Sequence, residues 1–239
     1  MGIIEGMYNE VYHATAGISS SAVKAVYKKS LAHWKGEKRS QTAAFTMGTA
    51  IHSLLLEEDR DLVVKGPKTK ASAAFKTMKE DLLEDQVLLT EVEYNVAHRV
   101  AKGALDNPTC KAALRHKDRR NEVSIFAKDP RSGLVLKTRP DLMIESEQTV
   151  YDVKSTQDAS PQGFASECSK YAYFIQGAFY VYVCKLAGLD IKEFNFIACE
   201  KTAPYVSHMH VLGPEAMEWA TEHMHKTLAV MALANVKEE

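Results

Sequence analysis

RPDLMIESEQTVYDVKST, residues 139–156, holds two β-prone runs on either side of the polar turn ESEQ. Asp141 falls near the end of the first run, and Asp152 and Lys154 fall on the second. Side chains two apart on a strand share a face, so Asp152 and Lys154 project together, and the turn returns Asp141 to their side. Two carboxylates and one ammonium are therefore expected at one end of a hairpin. Carboxylates this close repel unless a cation lies between them, and hard oxygen ligands suit Mg²⁺. Such an ion polarises a phosphate and acidifies water, while the Lys154 ammonium orients the attacking water and offsets developing negative charge. For Asp-x-Lys alone, an exposed salt bridge is the plainer account. Pro-Asp followed at eleven residues by Asp-x-Lys, on neighbouring strands, narrows the reading to metal-dependent phosphodiester hydrolysis.

Upstream, NEVSIFAKD and GLVLKTRPDLMIE read as strands joined by the turn DPRSG, so with TVYDVKST they predict a three-stranded antiparallel meander. Downstream, one long helix is expected from about Pro161 to Leu186, capped by Gly188. Strands in IKEFNFIACEK and PYVSHMHVL and a last helix opened by Pro214 follow it. Before residue 120 the pattern is helical. Ser19, Ser20 and Ser21 supply a hydroxyl cap, and AFTMGTAIHSLLLEE places Phe45, Ile51, Leu54 and Leu55 largely on one face. A polar loop at residues 65–72 separates these from a helix over 73–85 and another opened by Thr90-Glu91-Val92-Glu93, which has capping-box spacing. The order β-β-β-α-β-β-α after residue 120 indicates an α/β sheet with helices packed on it, preceded by a helical N-terminal region.

At 239 residues the chain suffices for one sizeable core, and 46% hydrophobic with 26% charged residues is ordinary for a soluble globular protein. No charge-free run of eighteen apolar residues and no basic leader with an apolar stretch occurs, so neither a membrane span nor a secretory signal is expected. The reading is an intracellular protein, placed in the cytoplasm. Cys110, Cys168, Cys184 and Cys199 form no CxxC pair, which argues against a zinc ribbon or simple iron–sulfur site and for small, partly buried side chains. A net charge of -1 means that attraction to a polyanion must come from local patches or bound metal. Lys24, Lys28, Lys29, Lys35, Lys38 and Arg39 against Glu37 form one patch, and Lys111, Arg115, Lys117, Arg119 and Arg120 against Asp118 form another. A solvated helix face explains either equally well.

These residues resemble the PD-(D/E)xK nucleases: Pro140-Asp141 matches the first half of that motif and Asp152-Val153-Lys154 the second. Gly48-x-x-x-His52 looks like the histidine helix of the RecB-like branch, and Gln176-x-x-x-Tyr180 like its glutamine–tyrosine helix. ISSSAVKAVYKKSLAHWKG is similar to the opening of RecE-type (exonuclease VIII-like) enzymes, so the resemblance spans roughly residues 15–185 in family order. It implies a single nuclease domain over 1–239, with residues 1–118 mainly helical and 119–239 a β-rich core: a mixed central sheet flanked by helices. It further implies Asp141, Asp152, the Val153 carbonyl and His52 as metal ligands and Lys154 as catalytic. Glu122, on the strand before Asp141, matches an acidic position that often joins the cluster. Gln176 and Tyr180 would lie beside the nucleic-acid backbone. Arg139, two before Asp141 on one strand face, is a candidate phosphate clamp.

The implied activity is an Mg²⁺-dependent exonuclease, with Mn²⁺ as substitute and no nucleotide cofactor, since no GxxxxGK[ST] loop is present. Similar enzymes degrade one strand of linear double-stranded DNA 5′ to 3′, leave a 3′ overhang for a single-strand annealing recombinase, and assemble as homo-oligomeric rings. A Cas4-like or restriction-type endonuclease on the same scaffold is the first alternative, although a cysteine-ligated cluster is not supported. A non-catalytic DNA-binding assembly protein is the second. His208 and His210 read as surface histidines, and His223 and His225 as a poor chelating pair because they diverge on a helix.

Overall fold

The computed structural model describes residues 1–36, 43–57, 61–83 and 85–236. Its N-terminal part runs β1 (Gly2–Ile4), α1 (Asn9–Ala14), α2 (Ser20–Lys28), α3 (Leu31–Gly36), α4 (Ala43–Leu56), β2 (Val63–Lys65), α5 (Ala73–Glu80), β3 (Val87–Leu89), α6 (Glu91–Asp106) and α7 (Pro108–Leu114). The remainder runs β4 (Arg119–Asn121), β5 (Ser124–Lys128), β6 (Val135–Thr138), β7 (Leu142–Ile144), β8 (Thr149–Thr156), α8 (Pro161–Tyr171), α9 (Tyr173–Leu186), β9 (Glu193–Glu200), β10 (Ser207–Val211) and α10 (Pro214–Val236). Five strands form the central sheet in the order β10-β9-β8-β7-β4. Only β8 and β9 pair in parallel there, with Asp152 beside Phe196 and Lys154 beside Ala198, so the sheet is mixed as expected.

Alternation along β8 and β9 builds two apolar cores, one on each face of this sheet. Val150, Phe194, Phe196 and Ala198 face α2, α9 and α10 with Val23, Ile175, Phe179 and Met224. Tyr151, Val153, Ile197 and Cys199 face α4, α6 and α7 with Ile51, Leu55, Val100 and Leu114. By that alternation Asp152 and Lys154 belong to the first face and Val153 to the second. Several local signals act as expected. Thr90 and Glu93 form a capping box, Ser19 accepts from the Ala22 N–H, and Gly188 takes φ 87 past α9. Ile51 and Leu55 are fully buried; the side chain of Phe45 lies outside the described residues, as do Glu37, Lys38 and Arg39 of the first basic patch. All four cysteines are free, and only Cys168 is less than fully buried. Among the described residues no helix is long and apolar enough to cross a membrane.

The structure departs from the expected meander. GLVLKTRPDLMIE is two strands in two sheets, because β6 pairs with β5 in a separate sheet of order β1-β5-β6, whereas β7 pairs with β8 and β4. The break falls at Arg139-Pro140-Asp141, where Pro140 has no N–H to give a ladder. NEVSIFAKD breaks at the same level, with Glu122 at φ 47 between β4 and β5. Glu122 is therefore at a kink rather than on a strand, and Arg139 and Asp141 do not share a strand face. The expected long helix likewise divides at Ala172, whose φ of 52 turns α8 into α9. No glycine or proline marks that corner; Ala172 fits because it is wholly buried and small, and its N–H bonds back to Cys168 and Ser169. His208 is exposed as expected, whereas His210 is half-buried: it stacks on Phe164 at 4.5 Å and bonds to the Ala159 carbonyl.

Close approach of α6 to the segment before β10 depends on Gly103. A Cβ there would sit 2.0 Å from the Tyr205 carbonyl oxygen, a backbone atom that cannot rotate aside. Gly103→Ala is expected to cost about 1–3 kcal/mol as overpacking. A urea titration should show a lower midpoint at unchanged slope.

Candidate active site

Pairing of Leu142 with Tyr151 sets the register at the mouth of the β7–β8 hairpin. Continued outward, that register would put Asp141 opposite Asp152 and Pro140 opposite Val153. The chain leaves the ladder there, and the Asp141 carboxylate takes the vacated place: its Oδ2 accepts the Val153 N–H at 2.7 Å. Burial pushes the Asp141 carboxyl up to about 7, opposed by His52 and reinforced by the charge of Asp152.

His52 comes from α4, on the opposite face of the sheet from Asp152. Its Nε2 lies 2.9 Å from the Val153 carbonyl oxygen, which can only accept, so Nε2 carries the proton. In the neutral ring Nδ1 is then a bare lone pair, 3.5 Å from Asp141 Oδ2. Two acceptors in that relation are favourable only with a cation or a proton between them. An imidazole nitrogen and a hard carboxylate oxygen suit a small divalent ion, whereas the Val153 carbonyl is engaged on the other side of the ring by the Nε2–H. Among the described residues, no group of three His, Cys, Asp or Glu side chains already converges on one point.

Asp152, 2% exposed, is held from the α9 side. Its Oδ1 accepts from Gln176 Nε2, and its Oδ2 forms an ion pair with Lys154 Nζ and has no other hydrogen-bonding partner among the described residues. Burial depresses the Lys154 ammonium, but the carboxylates of Asp152 and Asp141 outweigh it and hold its pKa above the ordinary value. The sheet rim thus gathers Asp141, Asp152, the Val153 peptide, Lys154, His52 and Gln176. Tyr180 is buried behind them, edge-on to Phe194, with its phenol near Ser20. Burial, then the charges of Asp152 and Asp141, raise that phenol well above its ordinary pKa, so it stays neutral.

Two sequence candidates are placed differently. Glu122 meets the site through its backbone: its N–H donates to the Asp141 carbonyl at 3.1 Å and its carbonyl accepts from Arg139 Nε at 3.0 Å. Arg139 is already engaged, donating also to the Met7 carbonyl and, at 3.3 Å, to Asn9 Oδ1, with Tyr12 under its guanidinium. It staples the N-terminal segment to the kink instead of standing free for a phosphate.

Lys24 was visible in the sequence only as part of a basic patch. In the fold its Nζ donates to Gln176 Oε1 at 2.7 Å. In its charged form Lys24 only donates, and it then fixes the amide with Oε1 inward and Nε2 towards Asp152. Burial, then repulsion from Lys154, lowers the Lys24 pKa to about 7. The available signal was a matched spacing: Ser20 and Lys24, four apart on α2, meet Tyr180 and Gln176, four apart on α9.

Comparison with known proteins places this geometry. Residues 19–239 match the sequence profile of a PDDEXK-like domain of unknown function, and the chain belongs to that family. No curated protein matches it. Among solved structures, an exonuclease from Eubacterium rectale, so named provisionally, superposes with a TM-score of 0.63 at 14% identity, covering 95% of this chain and 87% of the other. A phage-related exonuclease from Haemophilus somnus 129PT gives a TM-score of 0.41 at 10% identity over 94% and 97% of the two chains, too low to carry argument.

Because Lys24 reaches Asp152 through Gln176, their substitutions should not add. In a cycle of Lys24→Met, Gln176→Leu and the double variant, unfolding in urea should reveal a coupling of about 0.5–3 kcal/mol. Additive losses would mean that the two side chains act separately.

Proposed function

We propose that this chain is a divalent-metal-dependent exonuclease acting on the ends of linear double-stranded DNA. One observation carries the reading: the Nδ1 lone pair of His52 and the Asp141 carboxylate face each other at 3.5 Å, beside the Asp152–Lys154 pair. Membership of the PDDEXK-like family supports it.

Asp141, Asp152 and His52 would hold the ion, and the Val153 carbonyl, a ligand by resemblance, would join them on release from the His52 Nε2–H. Mg²⁺ there, or Mn²⁺ in its place, would polarise the scissile phosphate and acidify water. Lys154, its charge secured by the facing carboxylates, orients the attacking water and offsets charge developing on the phosphate oxygens. Gln176 keeps Asp152 aimed inward, and the neutral Tyr180 phenol adds no charge beside the phosphate. Arg139 is engaged with the N-terminal segment, which makes it a poorer phosphate clamp. No nucleotide cofactor enters this scheme. Resemblance of the motifs to RecE-type enzymes supports 5′ to 3′ polarity, a 3′ overhang passed to a single-strand annealing recombinase, a homo-oligomeric ring, and a bacterial or phage-encoded protein working in the cytoplasm. The name of the Eubacterium rectale protein agrees with an exonuclease.

End-labelled linear duplex incubated with Mg²⁺ should lose its 5′ label first, and EDTA should stop the loss. A covalently closed circle should survive; its nicking would make the protein an endonuclease instead. Lys154→Ala should cut the rate at least about 10²- to 10³-fold, as for loss of a transition-state donor, with DNA binding kept. Titration calorimetry with Mn²⁺ should show weaker binding for His52→Ala; an unchanged isotherm would remove His52 from the ligand set.

A further inference from the structure

The corner at Ala172 does more than end a helix. With Ala172 in the left-handed region, Tyr171 and Tyr173 lie side by side, ring centroids 5.4 Å apart and planes inclined by 30°. Tyr173 is the inner ring, with Lys154 Nζ 5.1 Å and Lys24 Nζ 5.3 Å from its centroid. Tyr171 is the outer ring, 41% exposed, with Lys28 and Lys170 at 5.7 and 5.2 Å. A ladder of two aromatic rings therefore leads from Lys154 to the surface, flanked along its length by lysine side chains. Glu167 on α8 is the carboxylate that acts on Tyr173 from the same helix pair.

We propose that Tyr171 is a stacking platform for an unpaired nucleobase of the DNA strand held in the active site, with Lys28 and Lys170 taking the phosphates beside it. The inference rests on the nuclease reading and names the part of the substrate that leaves the duplex. A tyrosine face offers a nucleobase dispersion and π-stacking without regard to sequence, and ammonium groups beside it pair with the sugar–phosphate chain. Duplex bases are already stacked on their neighbours, so only a frayed or displaced nucleotide can present a face to the ring. The location is as telling as the composition. The ladder begins at the lysine that meets Asp152, so a base on Tyr171 belongs to a nucleotide close to the reacting phosphate. Lys28 and Lys170 are exposed, and nothing in the apolar core depends on the Tyr171 ring. The net charge of -1 is no obstacle, because positive charge is concentrated where the strand would lie.

The test is fluorescence anisotropy in EDTA, where no cleavage can occur, with two labelled probes of equal length: an oligothymidylate and an abasic sugar–phosphate chain. The wild-type protein is expected to prefer the thymidylate by roughly 5- to 150-fold, the range for one stacked base. Tyr171→Ala should abolish most of that preference, while Tyr171→Phe, which keeps the ring and loses only the hydroxyl, should retain it. Lys28→Ala should weaken both probes alike and flatten the salt dependence. An unchanged preference in Tyr171→Ala, or none in the wild type, overturns the platform. The same preparations given Mg²⁺ and linear duplex separate the two readings. Cleavage without a Tyr171-dependent base preference removes the platform alone, and a base preference without cleavage removes the nuclease alone.

Discussion

The hydrogen bond from the Val153 N–H to the Asp141 carboxylate is the contact on which this architecture turns. Pro140 ends the β7 ladder, and without a substitute partner a central-sheet N–H would be left unpaired beside a protein core, at a cost of about 1–3 kcal/mol. Asp141 supplies that partner with its side chain. The chain is thereby free to swing from the central sheet to β6 and the smaller sheet, while the strand rim stays open. An interruption of regular pairing and the candidate site are one feature.

From that rim the site draws on both faces of the sheet. Asp152 and Lys154 project to the side of α2 and α9, where Gln176, Lys24 and Tyr173 receive them. His52 arrives from the other side on α4 and reaches the rim through the backbone of Val153. A strand alternates its side chains but bares its peptide groups at an edge, so a peptide is the natural link between two such layers. This gives the carbonyl of a valine a role that its side chain, buried against α4 and α6, does not suggest.

Much of this was legible beforehand because it rests on short-range rules. Asp-x-Lys spacing, the hydroxyl and capping-box starts of α2 and α6, and the Pro214 opening of α10 act over a turn or two. Sequence therefore identified the acidic pair, the lysine and the Gln176 helix. It failed where distant segments decide. The division of GLVLKTRPDLMIE depends on β1 and β5 competing with β8 for partners, although Pro140 was a usable warning. Nothing local marks the corner at Ala172, because an alanine there answers to the packing around it. The partners of Arg139 were hidden for the same reason, since Met7 and Asn9 are more than a hundred residues away in sequence. Lys24 looked like one more surface cation until α2 was laid along α9.

The placement of two cores on opposite sides of one sheet, with His52 rooted in one and Asp152 in the other, has a thermodynamic consequence. Any ligand gripping both residues cross-braces two layers that meet through the strands. Its binding energy is then shared by both, so a loosening of α4 and a loosening of α9 become one cooperative event, each harder by the same increment. Saturation of the rim should make the helical layers melt together, turning a chemical centre into a structural rivet.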